Sequence, residues 1–188
     1  MRTLSVCTPL LLLVCLLLPA ACQQTPVEVR SVDTEGRQAE LARLRQAIRG
    51  GQGSVDRGRV LFASRCGTCH QLGDTGHGRA GPDLATYPRD RDAVPYLLQV
   101  IAFPDAEIHP YHTMFEIRTR DGRVLTGVMV DRDDEQVTLI DADGDELVIA
   151  QREIDRKLPQ YTSLMPDHLL ASMTEQQVVD LFAFLIDE

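Results

Sequence analysis

The chain has 188 residues, with 28 acidic against 19 basic side chains and a formal net charge of −9. That length suits one domain with a small appendage. The acidity excludes a nucleic-acid binder, which needs a basic face for phosphate, and favours a solvated surface or a basic partner.

Residues 1–22, "MRTLSVCTPLLLLVCLLLPAAC", carry one arginine, an apolar run over residues 10–18 and a small-residue end at Pro19-Ala20-Ala21. The run is shorter than the ~20 residues of a membrane-spanning helix, so the segment reads as an export signal and the mature chain as periplasmic or otherwise extracytoplasmic. Cys22 sits where the segment resembles the lipobox of bacterial lipoproteins, with Pro19 as its irregular position. Acylation there would anchor the protein to the membrane and remove a reactive exposed thiol. Loss of Arg2 with residues 1–22 moves the formal charge from −9 to −10.

Residues 23–53 read as a polar tether followed by a short amphipathic helix, with Leu41, Leu44 and Ile48 at helical spacing and Gly50-Gly51 as its stop. Ser54 is placed to cap a second helix, "VDRGRVLFASRC", which leads straight into the cysteine motif "CGTCH". Glycine and proline recur through "GDTGHGRAGPDLATYP", a loop. A third helix follows in "RDAVPYLLQVIAFP", where Pro95 is tolerated only in the first turn. Alternation over residues 113–155, with turn signals at Asp121-Gly122 and Asp143-Gly144, predicts three or four antiparallel strands over 115–119, 124–130, 136–140 and 146–149. One face should pack on the helical domain and the other meet solvent or a partner, with the acidic turn "DRDDE" projecting. Asp141, Asp143 and Asp145 lack the later glutamate of a calcium loop and read as a hairpin turn. Thr174 and Gln177 form a capping box before a last helix with Val178, Leu181, Phe182 and Leu185 on one face.

Cys66-Gly67-Thr68-Cys69-His70 has the C-x-x-C-H form of c-type haem attachment. Two thiols two residues apart can reach both vinyl groups on one side of a porphyrin, and the next histidine then lies beneath the iron. A closed zinc site would need further ligands at short spacing, and the chain has no second C-x-x-C. A thioredoxin-like centre would need the motif to open a helix after a strand, whereas here a helix precedes it. Candidates for a sixth iron ligand are Met114, Met129, Met165 and Met173, or His77, His109, His112 and His168. Met165 stands apart from the other methionines because "SLMP" places it in an extended segment before proline, where its flexible thioether can point inward.

With "GRVLFASRCGTCH", "GPDL", "SLMP" and "DLFAFL" in that order, residues 54–188 resemble class I cytochromes c. They are more closely similar to the planctomycete- and verrucomicrobial-type haem-binding domain family, which shares "GPDL", a P-x-x-x-I segment (here Pro104 to Ile108), "DG…TG" and "SLMP". The resemblance implies a mainly α fold, a cytochrome c-like helical haem domain with a small antiparallel β-sheet inserted at 113–155. It implies one covalent haem c on Cys66 and Cys69, His70 and Met165 as iron ligands, and the Pro82 carbonyl bonded to the other nitrogen of His70. His70 and Met165 lie 95 positions apart, more than a minimal cytochrome c needs, and the sheet accounts for the excess. The expected activity is single-electron transfer between redox proteins, without bond chemistry, with a periplasmic dehydrogenase as a donor. The alternatives are a haem enzyme or gas sensor with His77 or His112 at an open distal face, and a partner-binding module with a structural haem.

Overall fold

The computed structural model describes residues 34–186; the segment read as an export signal, Cys22 and most of the stretch read as a tether lie outside the described residues. Helix α1 (Thr34–Gly50) ends at the expected glycine stop and buries Leu41, Leu44 and Ile48. It therefore belongs to the helical core rather than to a tether. Helix α2 (Val55–Arg65) is capped by Ser54, whose hydroxyl accepts the Arg57 N–H. Helix α3 (Val94–Ala102) carries Pro95 in its first turn, where no intrahelical bond is lost. Helix α4 (Glu175–Leu185) opens with both halves of the Thr174/Gln177 capping box. Phe62, Leu98, Leu181 and Phe182, all within 1% of complete burial, centre the core these helices share.

Helices α2 and α4 approach closely because Gly58 has no side chain: a Cβ there would lie 2.0 Å from the Asp180 carbonyl oxygen. One turn on, the Phe62 and Phe184 rings tilt against each other at 5.4 Å. Asp180 is 3% exposed and closes the crossing. Its carboxylate accepts from Arg57 Nε at 2.7 Å and Nη2 at 2.8 Å, from the Ser54 N–H at 2.8 Å and from Gln176 Nε2 at 3.0 Å.

The Arg57 bonds, helped by Ser54 and Gln176, hold the Asp180 carboxyl down at about 2 against the upward push of burial. A folded value below the unfolded one stabilises above about pH 4, and that stability is lost as pH falls towards about 2. Asp180→Asn should thus cost on the order of 2 kcal/mol at neutral pH. In denaturant titrations its deficit relative to wild type should shrink across that acid window. A deficit that does not change with pH would show that charge is not what Asp180 contributes.

Past α2, β1 (Gln71–Leu72) and β2 (Thr75–Gly76) form a minimal hairpin inside the predicted loop. The main sheet comprises β3 (Met114–Thr119), β4 (Val124–Arg132), β5 (Gln136–Ile140), β6 (Glu146–Ala150) and β7 (Ile154–Pro159), in the antiparallel order β6-β5-β4-β3-β7. It extends beyond the expected 155, and β7 escapes the alternation pattern because only Ile154 of its six residues is buried. The described residues are about 40% helix and 24% strand, so the mainly α expectation is borne out only in part and gives way to a mixed fold.

The sheet is curled. In a flat sheet β6 and β7 would stand four strand spacings apart, about 19 Å, yet the four Cα steps from Ala150 to Ile154 reach at most about 14 Å. Register breaks opposite Arg118/Thr119, where Asp155 of β7 is the extra residue, and in β4 between Met129 and Asp131, where Val130 is, supply the bend. The concave face then encloses a core of its own, with Ile117, Val137, Leu139, Ile149 and Ile154. This corrects the expectation of one face against the helices and one against solvent: the inward face packs on itself. On the outward face, the cross-strand pair Val128 and Ile140 packs on Ala80, with Cys69 and Leu164 beside it. Strand β5, covered on both sides, buries four consecutive residues.

Candidate functional site

The "CGTCH" turn lies at the seam between the two cores. Cys66 follows the last turn of α2, where its N–H donates to the Phe62 carbonyl, and packs on the helical core. Cys69 packs on the sheet side with Ala80, Val128 and Ile140. Both thiols are free. Burial pushes the Cys66 thiol up to about 12, aided by neighbouring Cys69, and burial also raises Cys69. A dithiol exchange centre needs the opposite, a depressed thiol pKa. Among the described residues no three His, Cys, Asp or Glu side chains converge as ligands of one metal ion.

His70 is oriented from behind. Its Nδ1 lies 3.0 Å from the Pro82 carbonyl oxygen, which accepts the ring proton and leaves Nε2 as the nitrogen with a free lone pair. Gly81 permits the approach: a Cβ there would stand 2.3 Å from His70 Cε1 and 2.5 Å from Nδ1. The Gly81 N–H donates to the Cys69 carbonyl at 2.8 Å, folding "GPDL" back onto the motif. Burial lowers the His70 pKa, which keeps the imidazole neutral as a ligand requires. Gly81 was legible only as part of "GPDL"; its steric role needed coordinates.

The ligand candidates now separate. Met129 packs on the enclosed core of the sheet and Met173 on the helical core. Met114 opens β3 opposite Val128. His77 and His109 are exposed, and exposed His168 faces Arg37 of α1. His112 puts Nδ1 3.2 Å from the Ala80 carbonyl oxygen, on the loop that holds His70. Met165 is half-buried, and its neighbour Leu164 shares the apolar cluster of Cys69. Folding thus brings the "SLMP" segment beside a motif 95 positions away.

The sheet touches the motif a second time at the β5–β6 turn, where a Cβ on Gly144 would lie 2.4 Å from Thr68 Cγ2. Asp141 closes that turn by accepting the N–H groups of Asp143 and Asp145, as a hairpin turn requires. The "DRDDE" turn lies at the other end of β5, about 17 Å away along the strand.

Two thiols flanking a glycine and a threonine, and an imidazole pinned through Nδ1 with its ring against Gly81, fit a covalently held haem. Residues 55–114, from α2 to the first residue of β3, match the family model for Cytochrome c, and no curated protein matches the chain. That match, on the stretch with Cys66, Cys69, His70 and Pro82, supports a c-type cytochrome with covalently bound haem c and fits a haem-binding electron carrier.

Proposed function

We propose that the chain is an extracytoplasmic monohaem c-type cytochrome, anchored through Cys22, that passes single electrons between redox proteins. The observation that carries this reading is the His70 imidazole, held at Nδ1 by Pro82 and against Gly81 so that Nε2 remains free to bind iron. Haem c, when bound, supplies a ferric/ferrous couple. The chain's residues do the rest. Cys66 and Cys69 would hold the macrocycle by thioethers, Pro82 fixes the ring of His70, the apolar residues on either side of the seam would exclude water, and Met165 would offer a soft sulfur to the iron. Kinship with the planctomycete- and verrucomicrobial-type family is supported by the order of "GPDL", "DG…TG" and "SLMP".

The partner is a redox protein with a basic docking face, with a secreted dehydrogenase as the donor. The formal charge of −9 supports this, as do Asp141, Asp143 and Asp145 in the turn beside Thr68, whose field would steer a basic partner without holding it long.

Substitution of the sixth ligand tests the reading. Met165→Ala should abolish the sulfur-to-iron charge-transfer band, lower the reduction potential and turn a reduced protein that binds carbon monoxide only slowly into one that binds it fast and stoichiometrically. A wild-type iron that is high-spin and already binds carbon monoxide fast would instead point to a haem enzyme or gas sensor. Loss of the band on Met114→Ala rather than Met165→Ala would move the ligand to β3.

A further inference from the structure

We propose that Asp105 is a positioning residue for Met165, acting through Ser163; this rests on the reading of Met165 as sixth ligand. Asp105 follows Pro104, just past the end of α3. Its Oδ1 accepts the Ser163 N–H at 2.6 Å, across 58 positions of sequence. The Ser163 hydroxyl oxygen in turn accepts the Met165 N–H at 3.1 Å. The two bonds make a relay from the helical core to the backbone of the residue that carries the thioether.

The segment needs such a relay because little else in its own backbone holds it. Residues 160–169 form neither helix nor strand. The Gln160 N–H, donated to the Met114 carbonyl at 2.8 Å, ties its start, and half-buried Leu164 packs on the apolar cluster that Cys69 shares. Pro166 has no N–H to contribute. The N–H groups on either side of Leu164 are therefore fixed by Asp105 and by Ser163. A short bond to a carboxylate is charge-assisted and stronger than one between neutral groups. Removing that acceptor leaves the Ser163 N–H to water and raises the fraction of time that the segment swings out with its sulfur.

The helical core does not depend on Asp105, an exposed side chain, so Asp105→Ala should fold. Reduced Asp105→Ala holoprotein should bind carbon monoxide roughly tenfold faster than wild type, the effect of losing one charge-assisted hydrogen bond. The Ser163 and Met165 amides should exchange with deuterium faster by a similar factor, and the charge-transfer band should weaken. Asp105→Asn keeps an acceptor oxygen at the same reach but without the charge, and should restore about half of each signal on a logarithmic scale. Combined with Met165→Ala, Asp105→Ala should add nothing further to carbon monoxide binding. Wild-type rates in Asp105→Ala, or no rescue by asparagine, would overturn the relay. If Met165→Ala itself leaves carbon monoxide binding as slow as in wild type, the ligation reading fails and the relay with it. A spectrum that depends on Met165 but not on Asp105 fails the relay alone.

Discussion

Serine at both Cys66 and Cys69 should leave the protein without covalent haem. After extraction with acidic acetone the native protein should keep its haem in the protein pellet, and the double variant should release all of it or contain none. The size of the effect follows from the chemistry: a serine hydroxyl is not the nucleophile that adds to a vinyl group, so no thioether can form at either position. Each single variant can still make one thioether and should retain haem at reduced yield. The structure adds an asymmetry. Cys66 packs on the helical core and Cys69 on the cluster of Ala80, Val128 and Ile140, so each serine places a hydroxyl against a different apolar wall. Native haem that extracts freely would refute covalent attachment, and with it the reading of "CGTCH" from which the functional argument starts.

Gly58→Val should be the most damaging single change in the helical core. A Cβ at this position meets the Asp180 carbonyl oxygen at 2.0 Å, the Asp180 carbonyl carbon at 2.8 Å and Phe184 Cβ at 2.8 Å, none of them the free end of a flexible side chain. Relief requires α2 and α4 to move apart, which would loosen Phe62 against Phe184 and lengthen the bonds from Arg57 to Asp180. A cost of about 3 kcal/mol is expected for such overpacking, or roughly 6–12 °C in Tm for a chain of this size. Gly50 is the control. It ends α1 with nothing within 4 Å of where a Cβ would stand, so Gly50→Ala should be neutral or slightly stabilising. Equal Tm values for Gly58→Val and wild type would show that the crossing is not as close as Gly58 and Asp180 place it.

Much of this molecule could be read in one dimension, because its strongest signals are local. Ser54 and Thr174 announce helix starts through bonds to residues three positions on, and Pro95 is tolerated because the first turn of α3 lies around it. The attachment motif is local too: five consecutive residues contain both thiols and the imidazole. Four strands of the sheet were visible because their apolar residues alternate between polar turns, two of which contain Asp-Gly. The order of "GPDL" and "SLMP" could also be read directly, since order is a property of the chain.

What needed three dimensions depends on partners distant in sequence. Strand β7 carries an almost wholly exposed pattern and exists because β3 supplies its hydrogen bonds. The closed core of the sheet follows from a three-residue connection between its two edge strands, and alternation alone cannot tell an inward face that packs on itself from one that packs on helices. Gly81 reads as a turn residue until the His70 ring is found against it. Asp105 and Ser163 are ordinary loop residues until a 2.6 Å bond joins them. By itself the sequence determined which chemistry the chain carries, because thioether attachment needs only neighbouring residues. The tertiary structure decided what surrounds the motif, because turning the His70 ring onto Pro82 and bringing "SLMP" into the apolar cluster of Cys69 take contacts between segments that only folding brings together.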